Sequence, residues 1–220
     1  MNLTLSGPSF PPESGGKANR LVILLHGLGA DGNDLIGLAP YWAPFLPDTE
    51  FLSPNAPFPC DMAPSGYQWM SVGDVSPEAR LAGARTAASI LDAFIDDELK
   101  KRDLTEAQLA LVGFSQGTMM SLFVGPRRER QLAGIVGFSG RLIAPALLKS
   151  EIRSRPPVLL VHGTDDAMVP YGSMAEAESA LTDAGVAVET LSCPGVGHGI
   201  DAEGLRRGGE FLQRVLSAQG

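Results

Sequence analysis

LALVGFSQGTMMSLFV, residues 109–124, decides the fold class. Its first part, Leu109–Phe114, is a short continuous apolar run, as expected of a strand covered on both faces. Its last part, running to Val124, reads as a helix. Between them Gly113-Phe114-Ser115-Gln116-Gly117 has the form GxSxG. A strand that turns into a helix over so few residues needs glycines, because neighbours with a Cβ would hold the two elements apart. The turn lifts the serine hydroxyl clear of the sheet and aims the helix N-terminus at any anion formed there. Alone the match is weak: the chain has 26 glycines, and a Gly-rich turn with a capping serine has the same form.

The flanking segments repeat the pattern. Leu21–Leu25 reads as a strand ending in His26-Gly27, and Glu50–Ser53 as a shorter one. Ser76-Pro77 opens a helix, with serine at the N-cap and proline at the first helical position. Leu81, Ala84, Ala88, Leu91 and Ile95 lay one apolar stripe along it. Leu132–Phe138, Val158–Val161 and Val186–Leu191 are further strands; Ser173–Asp183 and Asp201–Ser217 are helices. Strands separated by helices predict one α/β domain over residues 1–220, with a mostly parallel, doubly wound sheet flanked by helices. The stretch between the strands ending at Phe138 and starting at Val158 has room for a helix and none for a large lid domain. Pro54–Gly73 (PNAPFPCDMAPSGYQWMSVG) has no period; it reads as a functional loop carrying Met62, Tyr67, Trp69 and Met70, or else as a surface meander with its aromatics packed beneath.

Composition narrows the partners. The chain has 220 residues, 44% hydrophobic and 19% charged, enough for a sizeable core. Its net charge of −8 repels phosphate backbones and anionic lipid headgroups, so nucleic acid is excluded as a main partner. No apolar segment nears the ~20 residues that span a bilayer, and the amino-terminal Met1–Phe10 lacks a signal-peptide pattern. Cys60 and Cys193 belong to no ligand cluster and read as free thiols in a reducing compartment. A cytoplasmic protein without stable membrane insertion is expected; a homodimer is compatible with the sequence. Arg127, Arg128 and Arg130 read as a solvated patch after the helix that follows Ser115.

A serine hydroxyl needs a base, and the chain order of this turn type is Ser, acid, His. His26 precedes Ser115, and His162 precedes any candidate acid; both read as residues that order strand ends. His198, in Gly195-Val196-Gly197-His198-Gly199, remains as the base. Thr164-Asp165-Asp166-Ala167-Met168-Val169-Pro170 offers two carboxylates to orient it, and spacing alone does not choose between them. Sheet ends of this kind place the site beyond the carboxyl ends of the strands, with Trp69, Met70, Leu28 and Met168 as expected apolar walls of a rather open cleft. No metal-ligand spacing, P-loop or dinucleotide fingerprint is present, so no cofactor and no metal is expected.

Taken together, His26-Gly-Leu-Gly-Ala-Asp-Gly32, Gly-Phe-Ser115-Gln-Gly, His162-Gly-Thr-Asp-Asp166-Ala-Met-Val-Pro170 and Gly197-His198-Gly resemble the phospholipase/carboxylesterase family of small α/β-hydrolases, which includes acyl-protein thioesterases. The resemblance runs from about Arg20 to Leu216. It implies an α/β-hydrolase fold and cleavage of small acyl esters or thioesters, with acylated protein among the substrate classes. It also selects Asp166 as the acid, four residues before Pro170, and it implies an oxyanion hole from the Leu28 and Gln116 backbone N–H groups. Ala30-Asp31 and Tyr67-Gln68-Trp69 depart from the family's commonest pattern, which bears on acyl specificity and not on the chemistry. Hydrolysis of an amide or lactone, and a non-catalytic ligand-binding role, are the alternative expectations.

Overall fold

The computed structural model describes residues 4–217; the first three residues of the Met1–Phe10 stretch, and the last three of the chain, lie outside the described residues. In chain order the elements are β1 (Ser9–Phe10), β2 (Arg20–Leu25), α1 (Gly32–Ile36), α2 (Ala39–Trp42), β3 (Thr49–Leu52), β4 (Phe58–Pro59), β5 (Tyr67–Gln68), α3 (Pro77–Arg102), β6 (Leu109–Phe114), α4 (Gln116–Val124), β7 (Gly134–Phe138), α5 (Pro145–Glu151), β8 (Val158–Gly163), α6 (Gly172–Asp183), β9 (Val188–Cys193) and α7 (Ala202–Ser217).

Seven strands form one sheet in the order β1-β3-β2-β6-β7-β8-β9. Every neighbouring pair is parallel except β1 with β3. Strand order reverses between β2 and β6, which pair directly with Leu25 opposite Gly113. Their carboxyl ends therefore open the crevice in which α/β sheets bind ligands.

Alternation along each strand divides the core. Leu21, Ile23, Leu25, Leu109 and Leu111 pack with Ala84, Leu91, Ile95, Met120 and Phe123 on the face covered by α3 and α4. Val22, Leu24, Ala110 and Val112 pack on the opposite face with Trp42, Phe211 and Leu212, from α2 and α7. The central strands are buried on both faces, which is why they read as unbroken apolar runs. α3 starts as its sequence predicts: the Ser76 hydroxyl accepts from the Ala79 amide and Pro77 takes the first helical position.

Several features differ from the sequence reading: α1 and α2 have no counterpart in it, and the last strand, expected over Val186–Leu191, runs Val188–Cys193. The edge strand β1 is two residues long and carries no periodic signal. Pro54–Gly73 contains the β4–β5 ribbon. The arginines after α4 are not a solvated patch: Arg127 stacks on Phe123 and pairs with Glu151, and Arg128 is largely buried among Asp92, Asp96 and Glu106. Only Arg130 is exposed, because the carboxylates that claim the other two come from distant positions on α3, on α5 and before β6.

Candidate active site

Ser115 occupies the turn between β6 and α4 with φ 53° and ψ −114°, a backbone conformation that costs a non-glycine residue of order 1–3 kcal/mol. Its amide donates to the Phe138 carbonyl (2.9 Å) and its own carbonyl accepts from Met119, which pin the turn on both sides. A Cβ on Gly117 would overlap the Leu25 carbonyl oxygen, so only glycine lets α4 lie this close to the end of β2.

Asp166 follows β8. Its Oδ1 accepts from the Met168 and Val169 amides, both at 2.9 Å, and its Oδ2 lies 2.8 Å from His198 Nδ1. Burial, the largest influence, pushes this carboxyl's pKa up; the hydrogen bonds from His198, Val169 and Met168 outweigh it and hold the group below its ordinary value. Asp166 is thus placed to accept from the His198 Nδ1–H. Asp165, one residue away, is exposed and accepts from the Thr164 hydroxyl.

His198 sits in the loop after β9, with its ring 4.8 Å from that of Phe114, next to Ser115. Ser115 Oγ and His198 Nε2 make no hydrogen bond among the described residues. Ser115 and His198 line one cavity of about 600 Å³, together with Leu28, Met70, Met168 and Gln116. The Leu28 and Gln116 amides beside Ser115 have no acceptor among the described residues. A second hollow of about 470 Å³ lies beside Arg85 and Arg127, which both pair with Glu151, and among the described residues it holds no nucleophile with a base.

Of the walls expected from the sequence, Leu28, Met70 and Met168 line the cavity, and Met168 is 72% exposed at its mouth. Trp69 does not. It is 0% exposed, packs in the core on the α3 and α4 side, and donates its indole N–H to the His26 carbonyl at 3.0 Å. The Pro54–Gly73 segment is thus partly a meander over buried aromatics and partly a wall, through Met62, Met70, Ser71 and Val72.

One residue acquires a role that no local pattern signals, and His162 and His26 order strand ends as their sequence positions imply. The Gln116 side chain accepts from the Trp69 amide and donates to the Met70 carbonyl, clamping the loop over α4. His162 Nε2 lies 2.9 Å from the Val169 carbonyl and 3.2 Å from Asp166 Oδ2, so it closes the pocket around that carboxylate. His26 orders the end of β2: its Nε2 accepts from Ala56, which leaves Nδ1–H for the Gly27 carbonyl. Both cysteines are unpaired, and burial, with the Asp201 and Glu203 carboxylates nearby, pushes the Cys193 thiol up to about 12.

The profile of the phospholipase/carboxylesterase family matches residues 12–216. Acyl-protein thioesterase 1 of Schizosaccharomyces pombe is 31% identical over 209 residues, covering 90% of this chain and 91% of that protein. Esterase YpfH of Escherichia coli is 27% identical, covering 90% and 84%. The crystal structure of esterase PE8 superposes with a TM-score of 0.92 at 45% identity, covering 97% of this chain and all of that one.

Proposed function

Because the chain belongs to the phospholipase/carboxylesterase family, we propose that it hydrolyses carboxylic esters or thioesters through an acyl-enzyme formed on Ser115. His198 takes the hydroxyl proton as Ser115 Oγ attacks the carbonyl carbon, and Asp166 holds the ring with Nδ1 protonated and stabilises the imidazolium. The Leu28 and Gln116 amides receive the oxyanion, each worth about 2.7–4 kcal/mol in the transition state. The tetrahedral intermediate collapses, the bond to the alcohol or thiol breaks, and His198 returns its proton to that leaving group. Water then attacks the acyl-enzyme by the same route, releasing the acid and restoring Ser115.

The observation that carries this reading is the 2.8 Å contact from buried Asp166 to His198, at a cavity that also holds the strained Ser115. An acylated protein is a candidate substrate, supported by the name of the fission-yeast relative. The same proposal takes residues 1–220 as one domain, and it takes a cytoplasmic setting, in keeping with two unpaired cysteines.

A fluorophosphonate probe is expected to label the protein at Ser115 and to block hydrolysis of both p-nitrophenyl butyrate and butyryl thiocholine. Labelling elsewhere, or ester turnover that survives in Ser115→Ala, would overturn the assignment. Along an acyl series, specificity should climb about three- to fourfold per methylene, since each buried CH₂ contributes about 0.8 kcal/mol, and level off where the wall ends. Met168→Ala should flatten the longer half of that profile.

A further inference from the structure

Arginine usage in this chain is nearly saturated. Of thirteen arginines, eleven have an ion pair or a side-chain hydrogen bond. The two with neither, among the described residues, are Arg80 and Arg141, and both line the cavity that holds Ser115. In a protein with 25 acidic residues, two half-buried guanidinium groups without a carboxylate partner, near enough to feel each other's charge in one largely apolar cavity, call for an anion from outside.

Their placement is built. Arg80 is in the first turn of α3, where its amide donates to the Ser76 carbonyl. Arg141 follows β7 through Ser139, which has φ 48°, and Gly140, where a Cβ would crowd the Thr118 side chain and the Ser115 carbonyl. Arg141 is thus tied to the nucleophile's own turn. Burial first, then the charge of Arg80, lowers the pKa of Arg141, while Glu176 on α6 acts in the other direction from beyond ion-pair distance. Asp34 on α1 is the one acidic side chain on the cavity wall, and it pairs with neither arginine. The two like charges repel each other, and an anion between them removes that cost.

We infer that the cavity takes esters or thioesters that carry an anionic group, a carboxylate or a phosphate, which Arg80 and Arg141 receive at a distance from the scissile carbonyl. The inference rests on the hydrolase reading and specifies its substrate class. Planar guanidinium forks grip either anion through paired hydrogen bonds, and the apolar side chains of the same cavity, Met70, Val72, Val75 and Met119 among them, suit the connecting methylenes. Fixed ends also imply a preferred spacer length, unlike the plateau expected of neutral chains.

Two series of substrates distinguish the anion's source. One places a carboxylate at the far end of the acyl chain, as p-nitrophenyl hemisuccinate to hemisuberate, each against its methyl ester. The other places a phosphate on the alcohol, as butyryl esters of hydroxyalkyl phosphates against the unphosphorylated alcohols. In at least one series kcat/KM for the anionic member should exceed its neutral partner by tenfold or more, with an optimum in length. That ratio should fall about threefold in Arg80→Gln and in Arg141→Gln, disappear in the double variant, and recover in part in Arg141→Lys. Ratios at or below one in both series, or ratios that survive the double variant, would overturn the inference. Calorimetric binding of the anionic esters of both series to Ser115→Ala reads the site without turnover. Binding there that the two Gln changes abolish, in a protein that turns over neither series, would sustain the anion site and overturn the hydrolase reading. Turnover of both series with binding insensitive to the arginines would do the reverse.

Discussion

The turn after β2 and the loop after β9 carry the same dipeptide, His26-Gly27 and His198-Gly199, and both put an imidazole at the carboxyl edge of the sheet. Their surroundings differ. Each nitrogen of His26 is held by a neutral backbone group, the Ala56 amide at Nε2 and the Gly27 carbonyl at Nδ1, in a fully buried position. His198 has a carboxylate on Nδ1, an Nε2 without a partner among the described residues, and a place on the cavity wall. A base needs one free nitrogen and something to stabilise the charge it acquires. His198 has both and His26 has neither, so one dipeptide serves structure in one place and fits chemistry in the other.

The contrast breaks most completely if His198 proves dispensable. Ser115→Ala, His198→Ala and the double variant should each lower kcat on a short-chain chromogenic ester by at least about 10⁴-fold, with no further loss in the double, because the two act as a unit. Multiplying losses in initial-rate assays would dissolve that unit. Next in size, Asp166→Asn should lower kcat by about 10³–10⁴-fold through the wrong imidazole tautomer, while Asp165→Asn stays within about tenfold of the parent. The opposite ranking would move the acid by one residue.

His26→Ala sharpens the other half. It strands the buried Ala56 amide, so the urea midpoint should fall by the equivalent of about 1–3 kcal/mol, while kcat of the folded fraction falls less than tenfold. A folded, stable variant with no activity would make His26 part of the chemistry.

The smallest effect lies in the pH dependence of stability. Burial, opposed by the hydrogen bond to Gly27 and by Asp31 and Asp34, lowers the His26 pKa, so the unfolded chain takes up its proton first. Stability present above the unfolded value of about 6.5 is lost as pH falls through the folded one. Asp166, also lowered, contributes stability above about 3.9 that is lost as pH falls through its own folded value. Melting temperatures should therefore decline in two separate windows. His26→Gln should remove the upper decline, and Asp166→Asn should shrink the lower one. Unchanged slopes would show that neither group is held as described.

Much of this was legible in the chain. The apolar runs at 21–25, 109–114 and 158–161 mark central strands because both of their faces are covered, and Ser76-Pro77 marks a helix start through local capping chemistry. Trp69 was not legible. Its size suggests a wall, yet the indole finds a carbonyl beneath the loop at His26, forty-three residues away in sequence. Nor were the ion pairs of Arg127 and Arg128, whose partners lie on other elements.

The sequence by itself determined the elements and the order of the chemical groups: strand, turn and helix around Ser115, a carboxylate pair after β8, and a histidine between glycines after β9. These are local matters, settled by periodicity, steric allowance and spacing along the backbone. Only the tertiary structure decided which side chains share a cavity. Pairing β2 with β6 and winding α3 over one face of the sheet brings Arg80 beside Arg141, turns Trp69 inward and lets Gln116 clamp the loop above it. Contacts of this kind join segments far apart in the chain, and their energies depend on strand order and burial, which no stretch of sequence carries alone.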